Sequence, residues 1–457
     1  MSLRSRLRAV ELATRPEPPD LEAALRKRWG ELPEAVRTPQ QMLGRRTTGC
    51  EGTHGVFPRC DLACTPCYHG RDANRVRVDA AHTVTEVDRQ MAHLRTVRGP
   101  GQHAQLIGGE VTLLGPEAHA EALLAMQRHG RKPMSMSHGD FDYDYLVRLV
   151  QAGGFRHLSF AGHFDSLMLG RRGAARPRTE AELHEHRQRF CALFHRLERE
   201  YGVTSHLAHN MTVTPRNLGG VAEVVRAGRD MGFRMFSFQP AAFVGNPKRW
   251  REDLRAIGGD EVWAEMERGA GARLHWRALQ IGDVRCNRTA YGGFAGDRYV
   301  PLLDEDDPRD AAWLAAFVGA FGGLDFAAPP GLVAARVARG LARHPRAVPE
   351  ALGWARRFAR RARGRIRPVT FVMHSFMDAA VVAPAWEHLQ AGTRPAAPDV
   401  LEAWERLQAC SYSMSHPADG ALVPACAQHS VLDPAETARL ALELPLRRVA
   451  APRSRGA

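Results

Sequence analysis

Short apolar segments alternate with longer amphipathic segments between residues 100 and 240, and this alternation predicts the fold. Apolar runs of a few residues are typical of buried strands, and apolar residues spaced three and four apart are typical of helices. Strands are predicted at residues 105–107, 134–137, 157–160, 207–213 and 235–238. Helices are predicted at residues 117–129, 145–152, 179–201 and 221–231. With a strand before residue 60 there are about six βα units, which predicts an α/β fold with a parallel sheet.

Polar or glycine-rich segments follow most of these strands. The carboxyl ends of parallel strands meet at one edge of a sheet, and the binding sites of such folds lie there. The candidate site residues at these strand ends are Gly108, Gly109, Glu110, Ser137, His163, Asp165, Arg216 and Gln239. Each of them is also explained as a turn residue or as a polar residue that caps a loop.

The composition is that of a globular protein with a basic balance. The 457 residues are 44% hydrophobic and 25% charged, and the formal net charge is +13, which favours anionic partners. The apolar run at residues 311–324 is too short for a comfortable membrane span, and no apolar region follows the basic start. We expect a cytoplasmic protein, with peripheral membrane association as a further expectation.

Three cysteines, Cys60, Cys64 and Cys67, lie at positions i, i+4 and i+7, and Tyr68 follows the third. Three thiolates on one loop provide ligands for three irons of a cubane, whereas electron-transfer cubanes use four cysteines. The fourth iron would then be open to a substrate or cofactor. A zinc site would need paired C-x2-C halves, and a disulfide framework would need a short, cysteine-rich chain. Chance clustering is the remaining alternative.

The cysteine spacing and the trailing tyrosine resemble the signature of the radical S-adenosylmethionine (radical SAM) enzymes. The resemblance implies a partial (β/α)6 TIM-like barrel and a [4Fe-4S] cluster whose open iron binds S-adenosylmethionine (SAM). It also implies reductive cleavage of SAM to a 5′-deoxyadenosyl radical, which abstracts hydrogen from an unactivated carbon. Tyr68 would shield the cluster, and an external one-electron donor similar to flavodoxin or ferredoxin would reduce it. No nucleic-acid partner is expected.

The same resemblance assigns roles at the strand ends. Gly108-Gly109-Glu110 follows Cys67 by 41 residues and resembles the family's motif that contacts the amino group of SAM. The resemblance further implies Tyr68, Ser137, Arg216 and Gln239 as cofactor-binding residues. His163 and Asp165 are candidates for contact with the substrate.

The C-terminal half contains three further cysteines, Cys286, Cys410 and Cys426. Their surroundings, with the segment at residues 372–378, resemble the radical SAM group that contains tetraether lipid synthase and its methylase-like relatives. In that group, extra cysteines hold auxiliary iron–sulfur clusters or a structural metal. The cysteine-rich N-terminal module of the group is missing here, where only Cys50 occurs. These four cysteines would form one four-thiolate site for a second cubane or for zinc; unconnected buried thiols are the alternative.

The predicted domains are a helical arm at residues 1–48, a radical SAM partial barrel at 49–250 and a C-terminal α+β auxiliary domain at 251–457. A basic helical insertion is predicted at about 305–365. An apolar helix beside a basic one suits a lid over a lipid or another anionic substrate. An ordinary insertion with a solvated arginine face is the alternative.

The resemblance implies a radical SAM enzyme that forms C–C bonds on, or methylates, a lipid-like or anionic substrate. A radical SAM enzyme that matures a peptide or a small metabolite is the alternative. A metal-bearing protein that binds nucleic acid through a basic patch is a distant third hypothesis.

Overall fold

A mixed sheet of eleven strands forms the centre of the molecule in the computed structural model, which describes residues 19–69, 71–245, 257–321 and 330–446. In chain order the strands are β1 Cys50–Gly52, β2 Ala63–Cys64, β3 His103–Leu106, β4 Lys132–Ser137, β5 His157–His163, β6 Met168–Leu169, β7 Thr204–Val213, β8 Met235–Pro240, β9 Asn287–Ala295, β10 Arg298–Pro301, β11 Arg367–His374, β12 Tyr412–His416 and β13 Ala421–Pro424. The two-residue strands β2 and β6 form a separate ladder.

The α-helices of eleven residues or more cover this sheet and its edges. They are α1 Pro19–Glu31, α2 Ala80–Arg98, α3 Pro116–Arg128, α4 Tyr143–Gly153, α5 His184–Tyr201, α6 Val221–Met231, α7 Gly259–Ala270, α8 Pro308–Phe321, α9 Pro330–Arg343, α10 Ala347–Ala362, α11 Ala379–Gln390, α12 Pro398–Gln408 and α13 Asp433–Glu443. Residues 1–18 of the predicted N-terminal arm and residues 322–324 of the apolar run lie outside the described residues.

The order of strands across the main sheet is β10-β9-β11-β8-β7-β5-β4-β3-β1-β12-β13. The eight strands from β11 to β12 in this order are parallel to their neighbours, and β9, β10 and β13 are antiparallel. The sheet is curled into a half-barrel. The predicted α/β class and its parallel βα units are therefore confirmed.

The strand at residues 235–238 is the last one that the βα rhythm predicts, but the sheet continues beyond it. β11 pairs with β8 in parallel, and β12 pairs with β1 in parallel, so the C-terminal half adds a strand at each side. Val369, Phe371 and Met373 of β11 are buried in the same core as the earlier strands. A separate C-terminal auxiliary domain is not confirmed.

The helices on the sheet follow from the apolar spacing of the sequence. Leu146, Leu149 and Val150 form one buried face of α4, as expected for residues three and four apart. This helix ends at Gly154, whose φ of 63° is left-handed, a conformation that glycine adopts without steric cost. The core beneath is largely aromatic, with the rings of Phe160 and Phe194 5.0 Å apart. Rigid strands of this kind hold the loops at their carboxyl ends in place.

The region of the predicted basic insertion contains α8, α9 and α10. The indoles of Trp313 and Trp354 stack at 5.6 Å between α8 and α10, so this aromatic surface packs within the insertion. The buried carboxylate of Asp310 pairs with Arg357 and Arg361 of α10, at 2.7 and 2.8 Å. Within the described part of the chain, no helix is both long and apolar enough to span a bilayer.

Candidate cluster and cofactor site

The loop that carries Cys60, Cys64 and Cys67 follows β1 and is held on one side by the β2–β6 ladder. Cys64 lies opposite Met168 in this antiparallel pair, and the amide of Thr65 donates to the carbonyl oxygen of Leu167 at 3.2 Å. The segment after β5 therefore fixes the middle of the cysteine loop.

The structure brings the three thiols of this loop together. Burial raises the pKa of Cys60 to about 12 and that of Cys64 well above its usual value, and in both cases the nearby Cys67 raises it further. None of the eight cysteines, which all lie in the described residues, forms a disulfide. Soft sulfur donors gathered in one place suit iron or another thiophilic metal, which would displace the thiol protons.

Gly108 and Gly109 permit close contact between the end of β3 and the start of the cysteine loop. The amide of Gly109 donates to the carbonyl oxygen of Phe57 at 2.6 Å, and that of Glu110 donates to Arg59 at 2.9 Å. A Cβ atom on Gly109 would lie 2.0 Å from the carbonyl oxygen of Arg59. Any side chain there would push the two segments apart, so the glycines are needed to bring Glu110 beside the cysteines.

The carboxylate of Glu110 is buried and held by four donors. Its Oε1 accepts hydrogen bonds from the amide and hydroxyl of Thr112, at 3.1 and 2.7 Å, and from the hydroxyl of Ser137 at 2.8 Å. Its Oε2 accepts one, from the amide of His138 at 2.8 Å. Because Oε2 has the smaller number of donors, it is the oxygen with capacity for a further one, such as a ligand ammonium.

His138 connects this carboxylate to the cysteine loop. Its Nε2 lies 2.8 Å from Asp61 and 3.4 Å from Glu110, and its Nδ1 accepts from the amide of Asp140 at 3.0 Å. Burial lowers the pKa of His138, but the charges of Glu110 and Asp61 outweigh burial and raise it overall. Atoms of Cys60, Asp61 and His138 lie within 4.8 Å of one another.

The two candidates for substrate contact, His163 and Asp165, form a pair at the end of β5. The Nε2 of His163 lies 2.7 Å from Oδ2 of Asp165, which also accepts from the amide of Thr212. The side chain of His163 is 35% exposed, whereas that of Asp165 is 2% exposed. His163 is thus partly exposed and is held by Asp165, and contact of this pair with a substrate stays a prediction.

The two remaining predicted cofactor residues lie at later strand ends. Gln239 donates to the hydroxyl of Ser237 at 2.7 Å, and Arg216 is exposed after β7. The structure gives neither of them a contact with the cysteine loop. Their roles toward a cofactor stay predictions.

Arg171 and His429 reach the site without any distinctive sequence signal. Arg171 follows β6 and is buried beside Cys64, whose charge acts on it. Tyr68 donates to the carbonyl oxygen of Gly108 at 3.0 Å, and its ring packs on His429 at 4.3 Å. His429 in turn pairs with the buried Asp433 at 2.6 Å. A C-terminal π-helical turn at Gln428–Leu432 therefore reaches the cysteine loop.

The other four cysteines of the predicted auxiliary site lie on four separate segments, and three of them are near enough to Cys410 for its charge to act on them. Burial raises the pKa of Cys50 to about 11 and that of Cys286 to about 12, and it raises that of Cys426 as well. The charge of Cys410 adds to the rise in each case. Cys50 is also accessible to solvent.

Three arginines surround this second group of cysteines. Arg406 donates to the sulfur of Cys286 at 3.1 Å, Arg28 to the carbonyl oxygen of Cys410 at 2.9 Å, and Arg98 to that of Cys50 at 3.1 Å. The Nε atoms of Arg28 and Arg98 are buried and have no hydrogen-bond partner among the described residues. Buried cations with an unused donor fit an anionic centre between the thiolates.

Comparisons with known proteins give weak structural similarity. No family model matches the sequence, and no curated protein matches it. Similar solved structures include SuiB of Streptococcus suis bound to S-adenosylmethionine, at 14% identity and a TM-score of 0.30, over 45% of this chain and 42% of that one. Another is coproporphyrinogen III oxidase (HemN) of Escherichia coli, described as a radical SAM enzyme, at 15% identity and a TM-score of 0.29, over 54% of this chain and 52% of that one. The chain thus spans less than half the length of SuiB, and similarities of this size do not identify a function.

Proposed function

We propose that the chain is a radical SAM enzyme in which Cys60, Cys64 and Cys67 hold a [4Fe-4S] cluster. The observation that carries the proposal is the convergence of these three thiols beside Glu110 at the carboxyl edge of the sheet. The two parts come from segments about fifty residues apart and are joined directly, through the hydrogen bonds of residues 57–59 with 109–110. Three ligands rather than four leave a coordination position open, as a cofactor-binding cluster needs.

The residues around the cysteines have distinct roles in this proposal. Glu110 binds the amino group of SAM, and Ser137 and His138 hold the carboxylate of Glu110 in place. Tyr68 covers the cluster from the side of α13. A reduced [4Fe-4S] cluster with SAM supplies a 5′-deoxyadenosyl radical, which abstracts hydrogen from an unactivated carbon. Asp165 orients His163 toward the substrate, and Arg216 and Gln239 are further candidates for contact with SAM. An external flavodoxin- or ferredoxin-like protein supplies the electron.

The test is the formation of 5′-deoxyadenosine by the anaerobically reconstituted chain with dithionite and SAM. We expect the nucleoside from the wild type and none from Cys64→Ala. Cys191→Ala is the matched control, because Cys191 is a buried cysteine of α5 that belongs to neither cysteine group. A loaded, reduced wild type that produces no nucleoside would contradict the proposal.

Cys50, Cys286, Cys410 and Cys426 are proposed to hold a second [4Fe-4S] cluster. Within the described chain no three of these sulfurs lie within 4.8 Å of one another. Four thiolates suit a cubane and also a zinc ion, so metal analysis decides between them. Iron and sulfide analysis with Mössbauer spectroscopy tests this. About eight irons per chain would support two cubanes, and about four would refute the second.

The proposed reaction is C–C bond formation on, or methylation of, a lipid-like or anionic substrate. The supporting observation is the exposed arginines of α9, α10 and the turns before and after α10, namely Arg343, Arg346, Arg356, Arg360, Arg363 and Arg365. Such a surface attracts anionic headgroups and would place a cytoplasmic enzyme at the membrane. The test compares the rate of 5′-deoxyadenosine formation with anionic lipid, with neutral lipid and with no lipid. Equal rates in all three would contradict the lipid assignment.

The alternative is a radical SAM enzyme that matures a peptide or a small metabolite. Stimulation of SAM cleavage by a lipid-free peptide or metabolite fraction would favour it. The distant alternative, a metal-bearing protein that binds nucleic acid, would be favoured by a Cys60→Ala protein that retains full function. We rank it last because a cluster with three ligands has no use in such a protein.

A further inference from the structure

Arg171 is placed beside the cysteine loop by the β2–β6 ladder. β6 pairs with Ala63 and Cys64, and Arg171 follows two residues after its end. The residue is 2% exposed, although arginine is among the residues least often found fully buried. Burial of this positive charge next to the cysteine loop is therefore unfavourable, and a negative group in the cluster-loaded protein must compensate it.

Among the described residues, the guanidinium of Arg171 has neutral partners only. It donates to the carbonyl oxygens of His138 and His163, at 2.7 and 3.1 Å, and it lies over the ring of Phe164 at 4.8 Å. Its Nε has no hydrogen-bond partner in the described part of the chain. Nor does Arg171 form an ion pair with any described carboxylate.

Two other buried arginines contrast with Arg171, whereas Arg98 beside the second cysteine group also has no ion pair with a described carboxylate. Arg131 pairs with the buried Glu51 at 2.9 Å, and Arg187 pairs with the buried Glu180 at 2.5 Å. A buried charge is normally compensated in this way, because an isolated one is strongly unfavourable. The negative groups that act on Arg171 from a distance include Asp140, Asp165, Glu110 and the thiol of Cys64. Of these, Asp165 is already bound by His163 and two amides.

We propose that Arg171 is the buried counter-charge of the cluster on Cys60, Cys64 and Cys67 and that it raises the reduction potential of that cluster. The inference rests on the function proposed above. Reduction adds one electron, taken from the external donor, and therefore one negative charge to a site that already contains three thiolates. A fixed cation in a low-dielectric environment favours the more negative, reduced state. Arg171 acts on the cluster electrostatically and is a positioning residue rather than a catalytic one.

The experiment is an EPR-monitored redox titration of the full-length, anaerobically reconstituted protein without SAM. The variants are Arg171→Met, Arg171→Lys and Arg172→Met. Arg172 is the control, since it is the neighbouring residue and its side chain is 59% exposed, so that solvent screens its charge. SAM is added after each titration, and the signal that then changes belongs to the cluster with the open position. This separates it from any second cluster.

For Arg171→Met we expect the ratio of reduced to oxidised cluster at a fixed potential to fall at least about tenfold, which is about 59 mV for a one-electron couple. Arg171→Lys and Arg172→Met should leave the midpoint near that of the wild type. An unchanged midpoint in a fully loaded Arg171→Met protein would overturn the proposal.

The outcome is also decided if a variant does not load the cluster. Loss of iron in Arg171→Met, with a loaded Arg171→Lys at the wild-type midpoint, supports the counter-charge role because charge separates the two variants. Loss of iron in both, with a loaded Arg172→Met, shows that the guanidinium is needed only for the structure of the loop and overturns the redox role. If the wild type itself gives no cluster signal, the proposed function fails instead.

Discussion

The phenol of Tyr68 donates a hydrogen bond of 3.0 Å to the carbonyl oxygen of Gly108. This bond joins the residue after the last cysteine of the loop to the first glycine of the segment that presents Glu110. The backbone bonds between residues 57–59 and 109–110 join the same two segments at the other end of the loop. The cysteine loop is thus attached to the end of β3 both before and after its three cysteines.

Two replacements of Tyr68 distinguish the contribution of its hydrogen bond from that of its ring, which covers the proposed cluster. Tyr68→Phe loses one hydrogen bond, worth about 0.5–1.5 kcal/mol, and we expect the half-life of the cluster absorbance in air to shorten by no more than about tenfold. Tyr68→Ala also removes the ring that packs on His429, and we expect a larger loss. The control is Tyr143→Phe, because Tyr143 of α4 donates its hydroxyl hydrogen bond to Glu200 of α5, far from the cysteine loop. Equal half-lives for Phe and Ala variants would mean that the ring does not shield the cluster.

Ser137→Ala tests whether the orientation of Glu110 matters for SAM binding. The variant removes one of the donors to Oε1, and a lost hydrogen bond to a charged group costs about 1.5–3 kcal/mol. We expect the Kd for SAM, measured by anaerobic calorimetry, to rise by about tenfold or more. Ser135→Ala is the matched control on the same strand, because its hydroxyl bonds His119 instead. If both serine variants bind SAM equally well, Glu110 does not depend on Ser137.

The elements that the sequence predicts well are those with a local apolar period. The predicted helix at residues 221–231 has the observed bounds of α6, because Val221, Val224, Val225 and Gly228 form one buried face. The candidate site at the strand ends follows from the same rhythm, since turns after parallel strands must lie at one edge. The convergence of Cys60, Cys64 and Cys67 follows from their short spacing.

The features that sequence reasoning missed depend on distant pairing. β12 joins β1 across some 360 residues, and nothing in Tyr412–His416 indicates a partner at Cys50–Gly52. Arg171 follows a strand of two residues, which is too short for any period to appear. His429 reaches Tyr68 from a π-helical turn, a rare conformation with no recognised sequence pattern.

The buried ion pair between Arg187 and Glu180 should contribute strongly to stability. Both side chains are almost fully buried, and Glu180 also accepts from the amide of Ser166 and the side chain of Asn217. Arg187→Met should lower the free energy of unfolding by about 3–5 kcal/mol, because it leaves an unpaired buried carboxylate. Arg187→Met/Glu180→Leu should cost less than the sum of the single variants in urea denaturation. Strict additivity would show that the two side chains act independently.

The free energy of unfolding should depend on pH through the protonation of His54. Its Nδ1 lies 2.9 Å from Glu436 and its Nε2 lies 2.7 Å from the carbonyl oxygen of Ser415. Burial lowers the pKa of His54, but these bonds and the charge of Glu436 raise it overall. His416, stacked on it at 4.0 Å, has its pKa lowered by burial and then by the charge of His54.

A raised pKa in the folded state gives stability that is fully present below the unfolded value of about 6.5 and is lost as the pH rises through the folded value. We therefore expect the free energy of unfolding to fall above pH 6.5, with a slope from this group of at most about 1.4 kcal/mol per pH unit. His54→Gln should flatten this part of the profile, whereas replacement of His388, which is half-buried and bonds only Thr393 among the described side chains, by Gln should not. A wild-type profile that rises over the same range would exclude this role for His54.

The second cysteine group should stabilise the junction between the two sides of the sheet. Cys50 begins β1, and Cys410 precedes β12. Cys286 precedes β9 and lies next to the end of β11, because the amide of Ser375 donates to the carbonyl oxygen of Cys286. β11 and β12 are not paired with each other, so a metal centre on these cysteines would cross-link segments that the sheet leaves unconnected.

We expect Cys410→Ala to lower the Tm of the reconstituted protein by several degrees and to remove about half of its iron. Cys191→Ala should retain the iron. The decisive comparison is with the apo-protein, in which Cys410→Ala should have little effect on Tm, because a thiol with one hydrogen bond to Tyr412 contributes little by itself. An equal loss of Tm in the apo and loaded proteins would show that Cys410 acts by packing and that no metal joins the two sides.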